Sequence, residues 1–468
     1  MSKPPVIVWF RRDLRLADNP ALTEAVRSGS PILPVFILET DLPRPYGAAS
    51  RWWLHHSLAS LGQSLWAKGA PLLLLKGQAS RILPQLAARV GAERVLANRR
   101  NEPAEAALDA RIAETLEGKL SILPDGLLFE PGTVRTKDGK PVQVFTPFWR
   151  NALALPPPAK PLPAPDILTG HHGFGGEPLD SWGLLPTAPN WAEGFTEAWV
   201  PGEEAARQRL SDFLDEDIEA YARLRDVPSR PATSRLSPAL AFGEISPRQI
   251  WHAAVAHGAH PAEGFLRELG WREFCHHTLI RHPDMASRPH RREFERFPWS
   301  GSVAQWKAFT KGRTGYPIVD AGLRELWTTG WMHNRVRMIV ASFLVKDLLI
   351  PWQKGEAWFW DTLVDADAGN NAGGWQWVAG CGMDAAPYFR IFNPILQGAK
   401  FDPDGAYVRR WCPELAGLPN QFIHAPWTAS PLELAAARLR LGVDYPQPMV
   451  DHEVARKKAL AALERVKA

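Results

Sequence analysis

The chain has 468 residues, enough for two or three domains and for burying a cofactor. Its 54 Lys and Arg against 50 Asp and Glu leave a net charge of only +4, so the average says little about partners and local charge must decide. Cys275, Cys381 and Cys412 stand far apart in no CxxC arrangement, which excludes a disulfide framework and a zinc cluster and points to a reducing cytoplasm. No uninterrupted apolar segment is long enough to span a bilayer, and Arg11, Arg12, Asp13 and Arg15 follow the first short apolar run, so a soluble cytoplasmic protein is expected. The 21 tryptophans, several times ordinary usage, require a very aromatic core, chemistry that uses indoles, or both.

Residues 5 to about 130 alternate short apolar runs with amphipathic stretches: VIVWF, a helix from about Asn19, PILPVFIL, a helix from Ala49 through Lys68, PLLLL, a helix from Ser80, RVLAN and a helix from Pro103. That rhythm predicts an α/β domain over 1–130 with a Rossmann-like parallel sheet. Neither GxGxxG nor a Walker loop follows the first strand, so the usual phosphate cradles are missing. From about Phe148 to Pro201 the pattern breaks down, with six prolines between Pro156 and Pro165 and the glycine-rich HHGFGGEP after them. This predicts a long Pro-rich connector over 131–200, extended rather than part of a core. Residues 201–468 carry little β signal and many helical periods, among them EEAARQRLSDFLDE, SPRQIWHAAVAH, GFLRELGWREFCHHTLI, GYPIVDAGLRELWTTG and HNRVRMIVASFLVKDLL, and predict an all-α second domain. The last helix is amphipathic and basic, and the chain ends soon after it.

The stretch from Trp358 to Pro394 shows no clear helical or strand period, yet it gathers Asp365, Asp367, an Asn pair, a Gly pair and Trp-Gln-Trp. Small residues, directed polar groups and flat indoles suit a pocket for a planar polar molecule, with an ordinary capped loop as the equal alternative. In Thr233-Ser234-Arg235-Leu236-Ser237-Pro238 a capping hydroxyl precedes an N1 proline, which describes an anion site or simple capping of the kind Ser246-Pro247 also offers. Asp365-Ala366-Asp367 fails as a calcium loop, since Asn370 and Gln376 stand where Gly and Glu are needed. A DxD that holds a metal on a sugar nucleotide stays formally open. His276, His277 and His282 lack an HExxH frame and read as core or surface residues. Between Arg267 and Lys346 the charge is +7 while the rest of the chain is −3, and Trp271, Trp299, Trp306, Trp327 and Trp331 interleave with it. Phosphate tracking and base stacking need such a surface, and a solvated Arg-rich face with buried indoles is the alternative.

Several long motifs together, WFRRDLRLADNPAL, TSRLSPALAFGEIS, ELGWREF, GYPIVDAGLRELWTTGWMHNRVRMIVASFLVKDLL and the stretch through FRIFNP, resemble the DNA photolyase and cryptochrome flavoproteins over nearly the whole chain. The resemblance is closest to class I enzymes that split cyclobutane pyrimidine dimers, because Asn334 and Met338 stand where six-four enzymes carry histidines. It implies an antenna role for the α/β domain and FAD in the helical one. Tyr221 and Thr233, Ser234, Arg235, Leu236 and Ser237 would lie on the FAD phosphates, Phe265 beside the cofactor, and Asp365, Ala366 and Asp367 on its ribitol, ribose and ring edge. Asn371 matches the residue that faces the flavin N5, and Trp375, Trp352 and Trp299 match an electron-transfer chain running from flavin to surface. Glu268, Trp271, Asn334, Met338 and Trp377 would line the lesion pocket, with Arg225, Arg335 and Gln397 on the DNA.

The implied activity is light-dependent repair of ultraviolet-damaged DNA, in which an electron from photoexcited FADH⁻ opens the cyclobutane ring of a flipped dimer and then returns. Glu268 would steady the dimer's carbonyl region. Glu102 matches a folate ligand, although Asn101 replaces the aromatic residue often found before it, so methenyltetrahydrofolate is favoured as antenna over a deazaflavin or an empty site. A cytoplasmic, nucleoid-associated monomer is expected. The alternative is a cryptochrome-type photoreceptor that signals through a protein partner, which would normally want a tail beyond the last helix.

Overall fold

Five short runs, Val6–Phe10 (β1), Ile32–Glu39 (β2), Leu73–Gly77 (β3), Arg94–Asn98 (β4) and Leu120–Leu123 (β5), pair in parallel in the order β3-β2-β1-β4-β5 in the computed structural model, which describes residues 3–385 and 389–467. Helices Pro20–Ser28, Ala48–Ala67, Ala79–Val90 and Pro103–Thr115 cross between them. β1 sits at the centre, in register Ile7 with Leu33 and Val95, and all five of its residues are buried. Alternation along it sends Val6, Val8 and Phe10 into one apolar cluster with Trp52 and Leu58, and Ile7 and Trp9 into another with Leu83 and Ile112. A sheet covered on both faces reads as unbroken apolar runs, which is why these strands lack a polar face. β5 has no such signature: LSIL is a four-residue edge strand, half-buried, and the sequence reading passed over it.

Asn19 caps the first helix as its position suggested, accepting from the Leu22 amide at 3.0 Å. The proline-rich stretch near Pro156–Pro165 is without regular structure. The rest of the predicted connector is not a tether. It holds the helix Phe145–Leu153 and sends Leu168, Trp182, Leu184, Phe195 and Trp199 into the core beside Trp52 and Trp53. Indoles and phenyl rings scattered among Pro and Gly carry no period, so their burial leaves no trace in a pattern search.

From Glu203 to Lys467 the described residues are helical or irregular. The domains are stitched by polar contacts as well as packing. Glu203 accepts from the amides of Leu16 and Ala17 at 2.7 and 2.8 Å, Trp53 Nε1 donates to Glu244 at 3.0 Å, and Arg15 donates to Gly243 O at 3.0 Å. No helix among the described residues is long and apolar enough to cross a membrane, and all three cysteines are free.

The final helix, His452–Lys467, is fixed at its start by an ion pair of 2.5 Å between His452 Nδ1 and Asp347 Oδ1. Burial disfavours the imidazolium, but the Asp347 carboxylate outweighs it and holds the histidine above its ordinary pKa. A raised histidine stabilises fully below about pH 6.5 and loses that contribution as pH rises through the folded value. Thermal unfolding of wild type against His452→Gln should therefore show a gap that shrinks from pH 6 to pH 9. A constant gap would mean that the pair is not ionic.

Candidate functional site

The stretch read as aperiodic folds into two helices, Trp352–Thr362 and Ala368–Ala379, with residues 386–388 outside the described residues. The second helix hides its period by being buried nearly all round, including Ala368, Gly369, Asn371, Ala372, Trp375, Gln376 and Val378. Asp367 is its N-cap, accepting from the Asn370 amide at 2.7 Å.

This helix forms one wall of a cavity of about 600 Å³, within the range of small-molecule and cofactor sites. Most of the candidate residues meet there. Tyr221, Thr233, Ser234, Arg235, Leu236, Ser237, Phe265, Asp365, Asp367, Asn371, Trp375 and Trp377 line it together with Arg225, Glu268, Trp271, Asn334, Arg335 and Met338. Ala366, Trp299, Trp352, Gln397 and Glu102 do not. Ala366 and Trp352 are buried in the helical core with Trp375, Trp299 packs against that core with its ring tilted 44° to that of Phe297 at 4.4 Å, and Gln397 is half-buried on the helix Pro394–Phe401. No direct ring pair links Trp375, Trp352 and Trp299 among the described residues; Trp375 instead meets Phe359 edge-on at 5.0 Å.

Two carboxylates anchor the wall in different ways. Asp365 Oδ2 accepts from Arg337 at 2.7 Å, while its Oδ1 is buried and without a partner. Asp367 Oδ2 lies 3.0 Å from His276 Nε2. Burial alone would raise the Asp367 pKa, but His276, Arg272 and the Asn370 amide together hold it well below the usual carboxylate range. With Asp365 paired to Arg337, Asp367 beside His276, and no cluster of metal-binding side chains among the described residues, the DxD metal reading finds no support. His276, read as a core or surface residue, is buried and lies against Asp367.

Ser237 does not cap. The helix Ser237–Ala241 has Leu236 at its N-cap, and the Ser237 hydroxyl accepts instead from Trp331 Nε1 at 3.2 Å. A left-handed Arg235 (φ 50°) turns the chain just before it. The Arg235 guanidinium lies between Trp199 and Trp331, 4.2 and 4.9 Å from their rings, with no carboxylate in ion-pair reach among the described residues. Burial and nearby Arg209 push its pKa down to about 10. A partly buried, still cationic guanidinium without an acid, beside Thr233 and Ser234, suits a phosphate. Ser246, by contrast, closes a full capping box and donates its hydroxyl to Asp18.

Elsewhere around the cavity cations are already paired. Arg225 meets Glu268 at 2.5 Å, and Arg335 meets Asp226 at 2.7 Å while lying 4.5 Å from the Phe401 ring. At the rim, Arg288 and Arg292 pair with Glu295 and Asp284. The local excess of positive charge is thus partly neutralised from within. Trp271 stacks on Phe145 at 3.7 Å, which covers one face of its indole.

Glu102 lines a second, polar cavity of about 70 Å³, shared by Arg12, Asn101, Arg272, His276 and Asp367. It lies where the strand order reverses, at the carboxyl ends of β1 and β4, the usual ligand crevice of such sheets. Here Leu240, Arg272, His276 and Asp367 of the helical domain complete its lining. Arg12 sits 3.4 Å from Glu102 and takes up part of this space. Burial, Glu105 and Asp367 push the Glu102 pKa up to about 7 against the pull of Arg12.

Sequence reasoning missed Glu356, Arg44, Arg337 and Asp226. Asn371 Nδ2 donates to Glu356 Oε1 at 2.8 Å, and Glu356 is held by Arg44 from 312 positions away. Nothing in QKGEAW distinguishes that glutamate from a solvated one. Arg337 and Asp226, each adjacent to or near a singled-out residue, needed only the ion-pair geometry to be noticed.

Residues 6–166 match the DNA photolyase family, and residues 265–465 match the FAD binding domain of DNA photolyase. A deoxyribodipyrimidine photo-lyase of Agrobacterium fabrum is 50% identical over 100% of this chain and 99% of its own length. Cryptochrome-2 of Arabidopsis thaliana is 39% identical over 98% of this chain and 79% of its own. The crystal structure of a bacterial class III photolyase from Agrobacterium tumefaciens superimposes with a TM-score of 0.97 at 49% identity, covering 100% of this chain and 98% of that one. The class I placement implied by the motifs is accordingly not carried forward, while the family itself stands. The chain belongs to the DNA photolyase and cryptochrome family.

Proposed function

We propose that this protein holds FAD in the large cavity and repairs cyclobutane pyrimidine dimers in DNA under light. The observation that carries the reading is that Asp365, Asp367 and Asn371 line the same cavity as Glu268, Trp271, Asn334, Met338 and Trp377. The unpartnered Asp365 Oδ1 and the acid-free Arg235 are what a bound dinucleotide would satisfy. Asp365 and Asp367 would take its hydroxyls and ring edge, and Thr233, Ser234 and Arg235 its phosphates. When bound and reduced, FAD supplies the light-driven electron that opens the ring. The chain's own part is positioning: Trp271 and Trp377 present apolar faces for the flipped dimer, and the cavity walls exclude water from it. Glu268 must exchange its partner Arg225 for the lesion, which frees Arg225 for a phosphate. A cytoplasmic monomer acting on the nucleoid fits this role, and no antenna is assigned at Glu102.

Dimer-containing thymine oligonucleotide, mixed with reduced protein under blue light, tests the activity. Dimer content that stays at the dark level while FAD is bound and reduced would falsify it. The 39% identity to a plant cryptochrome favours the photoreceptor as second reading. A receptor should show no preference for damaged over intact DNA on gel shift.

The Asp226 pair yields a separate expectation. Asp226 competes with phosphate for Arg335, so Asp226→Asn should bind undamaged DNA several-fold more tightly, an effect of about 1 kcal/mol for one partly exposed pair. Its salt slope should stay near that of wild type, whereas Arg335→Ala should lower the slope by about one. Equal affinity of Asp226→Asn and wild type would show that the pair does not compete with DNA.

A further inference from the structure

Asn371 is expected to face the reactive edge of the flavin ring, and the structure shows what decides which end of its amide it presents. Nδ2 is spent on Glu356, donating to its backbone oxygen at 2.9 Å and to Oε1 at 2.8 Å. That leaves the carbonyl oxygen for the cavity that Asn371 lines. Glu356 is only 2% exposed, and a carboxylate so buried needs a counter-charge. The charge comes from the other domain. Arg44, in the loop after β2, sets Nη1 and Nη2 against the two carboxylate oxygens at 2.9 and 2.8 Å, a two-point fork.

The loop that carries Arg44 has little freedom to move away. The guanidinium lies 3.9 Å from the centre of the Trp360 ring, and Trp360 Nε1 donates to Pro45 O at 2.9 Å. Gly47 approaches the Trp360 backbone so closely that a Cβ there would come within 2.1 Å of its carbonyl oxygen. The next amide, Ala48, donates to Asp361 at 2.9 Å. The contacts form a continuous line from the α/β domain through Glu356 to the ring-facing amide.

We propose that Arg44 is a positioning residue for the flavin: through Glu356 it fixes Asn371 with its oxygen towards the ring. The proposal rests on the FAD reading above. A carbonyl oxygen accepts from a ring nitrogen only when that nitrogen carries hydrogen, so it favours reduced flavin; an amide NH₂ would favour the oxidised ring, whose bare nitrogen accepts. Without Arg44 the buried Glu356 loses its counter-charge, and the amide it holds is released to turn. Arg44 therefore biases the bound flavin towards the reduced state.

Redox titration of bound FAD, followed by its visible spectrum with circular dichroism as the control for folding, tests this on the full chain. Arg44→Met should lower the ratio of reduced to oxidised flavin at a fixed potential about tenfold, 59 mV for a one-electron couple. Arg44→Lys should lower it less. Asn371→Ala should shift in the same direction, and adding Arg44→Met to it should change nothing further. Arg44→Met at the wild-type potential, with Asn371→Ala shifted, overturns the role of Arg44 and leaves the FAD reading intact. Asn371→Ala at the wild-type potential overturns the reading beneath it. Should Arg44→Met fail to retain flavin, Glu356→Gln carries the test, because it keeps the shape and removes the charge; an unshifted potential there also overturns the proposal.

Discussion

Asp367→Ala should lose most of its FAD and part of its stability in one step. The side chain does two jobs with two oxygens: Oδ1 caps the helix Ala368–Ala379 and Oδ2 pairs with His276. Losing the cap costs about 0.5–2 kcal/mol of stability. A hydrogen bond from the cofactor to a charged group contributes roughly 1.5–3 kcal/mol, so FAD affinity should fall by roughly ten- to a hundredfold. The pH dependence has a definite sign. Asp367 is held below its ordinary pKa in the fold, so its stabilisation is complete above about pH 4 and is lost as pH falls through the folded value. Flavin content per protein and thermal unfolding of wild type, Asp367→Asn and Asp367→Ala measure both effects. A variant with full flavin and only the cap-sized loss would reduce Asp367 to a helix cap.

Trp375→Phe separates electron supply from repair. Its indole is buried against Phe359 and against Gly355, where an added Cβ would come within 2.2 Å of the ring. That close fit leaves Trp375 one position, at the cavity wall and on the core that also holds Trp352 and packs against Trp299. Photoreduction of oxidised flavin should slow by at least about tenfold, a barrier change of 1.4 kcal/mol or more. Repair by chemically reduced protein should remain near wild type. Equal loss of both activities would make Trp375 a structural residue, and unchanged photoreduction would mean that electrons reach the flavin by another route.

The parallel sheet was legible because buried strands and amphipathic helices have opposite periods, and β1 through β4 fall where the apolar runs stand. The cavity was legible for a different reason: its residues cluster in a few motifs, so Asp365, Asp367 and Asn371 could be named together. What stayed hidden has a physical pattern. The helix from Ala368 is buried on nearly every side and so has no polar face to mark its turns. Ser237 looked like a cap because Ser-Pro usually is one, as at Ser246, yet its hydroxyl turned to Trp331. Glu356 looked like one more helix-surface acid. A charge acquires its meaning from a partner, and Arg44 is over three hundred residues distant.

The crevice at β1 and β4, lined from both domains, bears on engineering. Domains shared by relatives invite exchange, as if they were cartridges. In this chain such a swap would carry Arg12, Arg15 and Arg44 away from Glu102's neighbour Asp367, from Gly243 and from Glu356. The graft boundary that respects these partners runs through charges rather than through the proline-rich segment. A hybrid that kept the linker and replaced the arginines would fold around orphaned carboxylates beside its own chromophore.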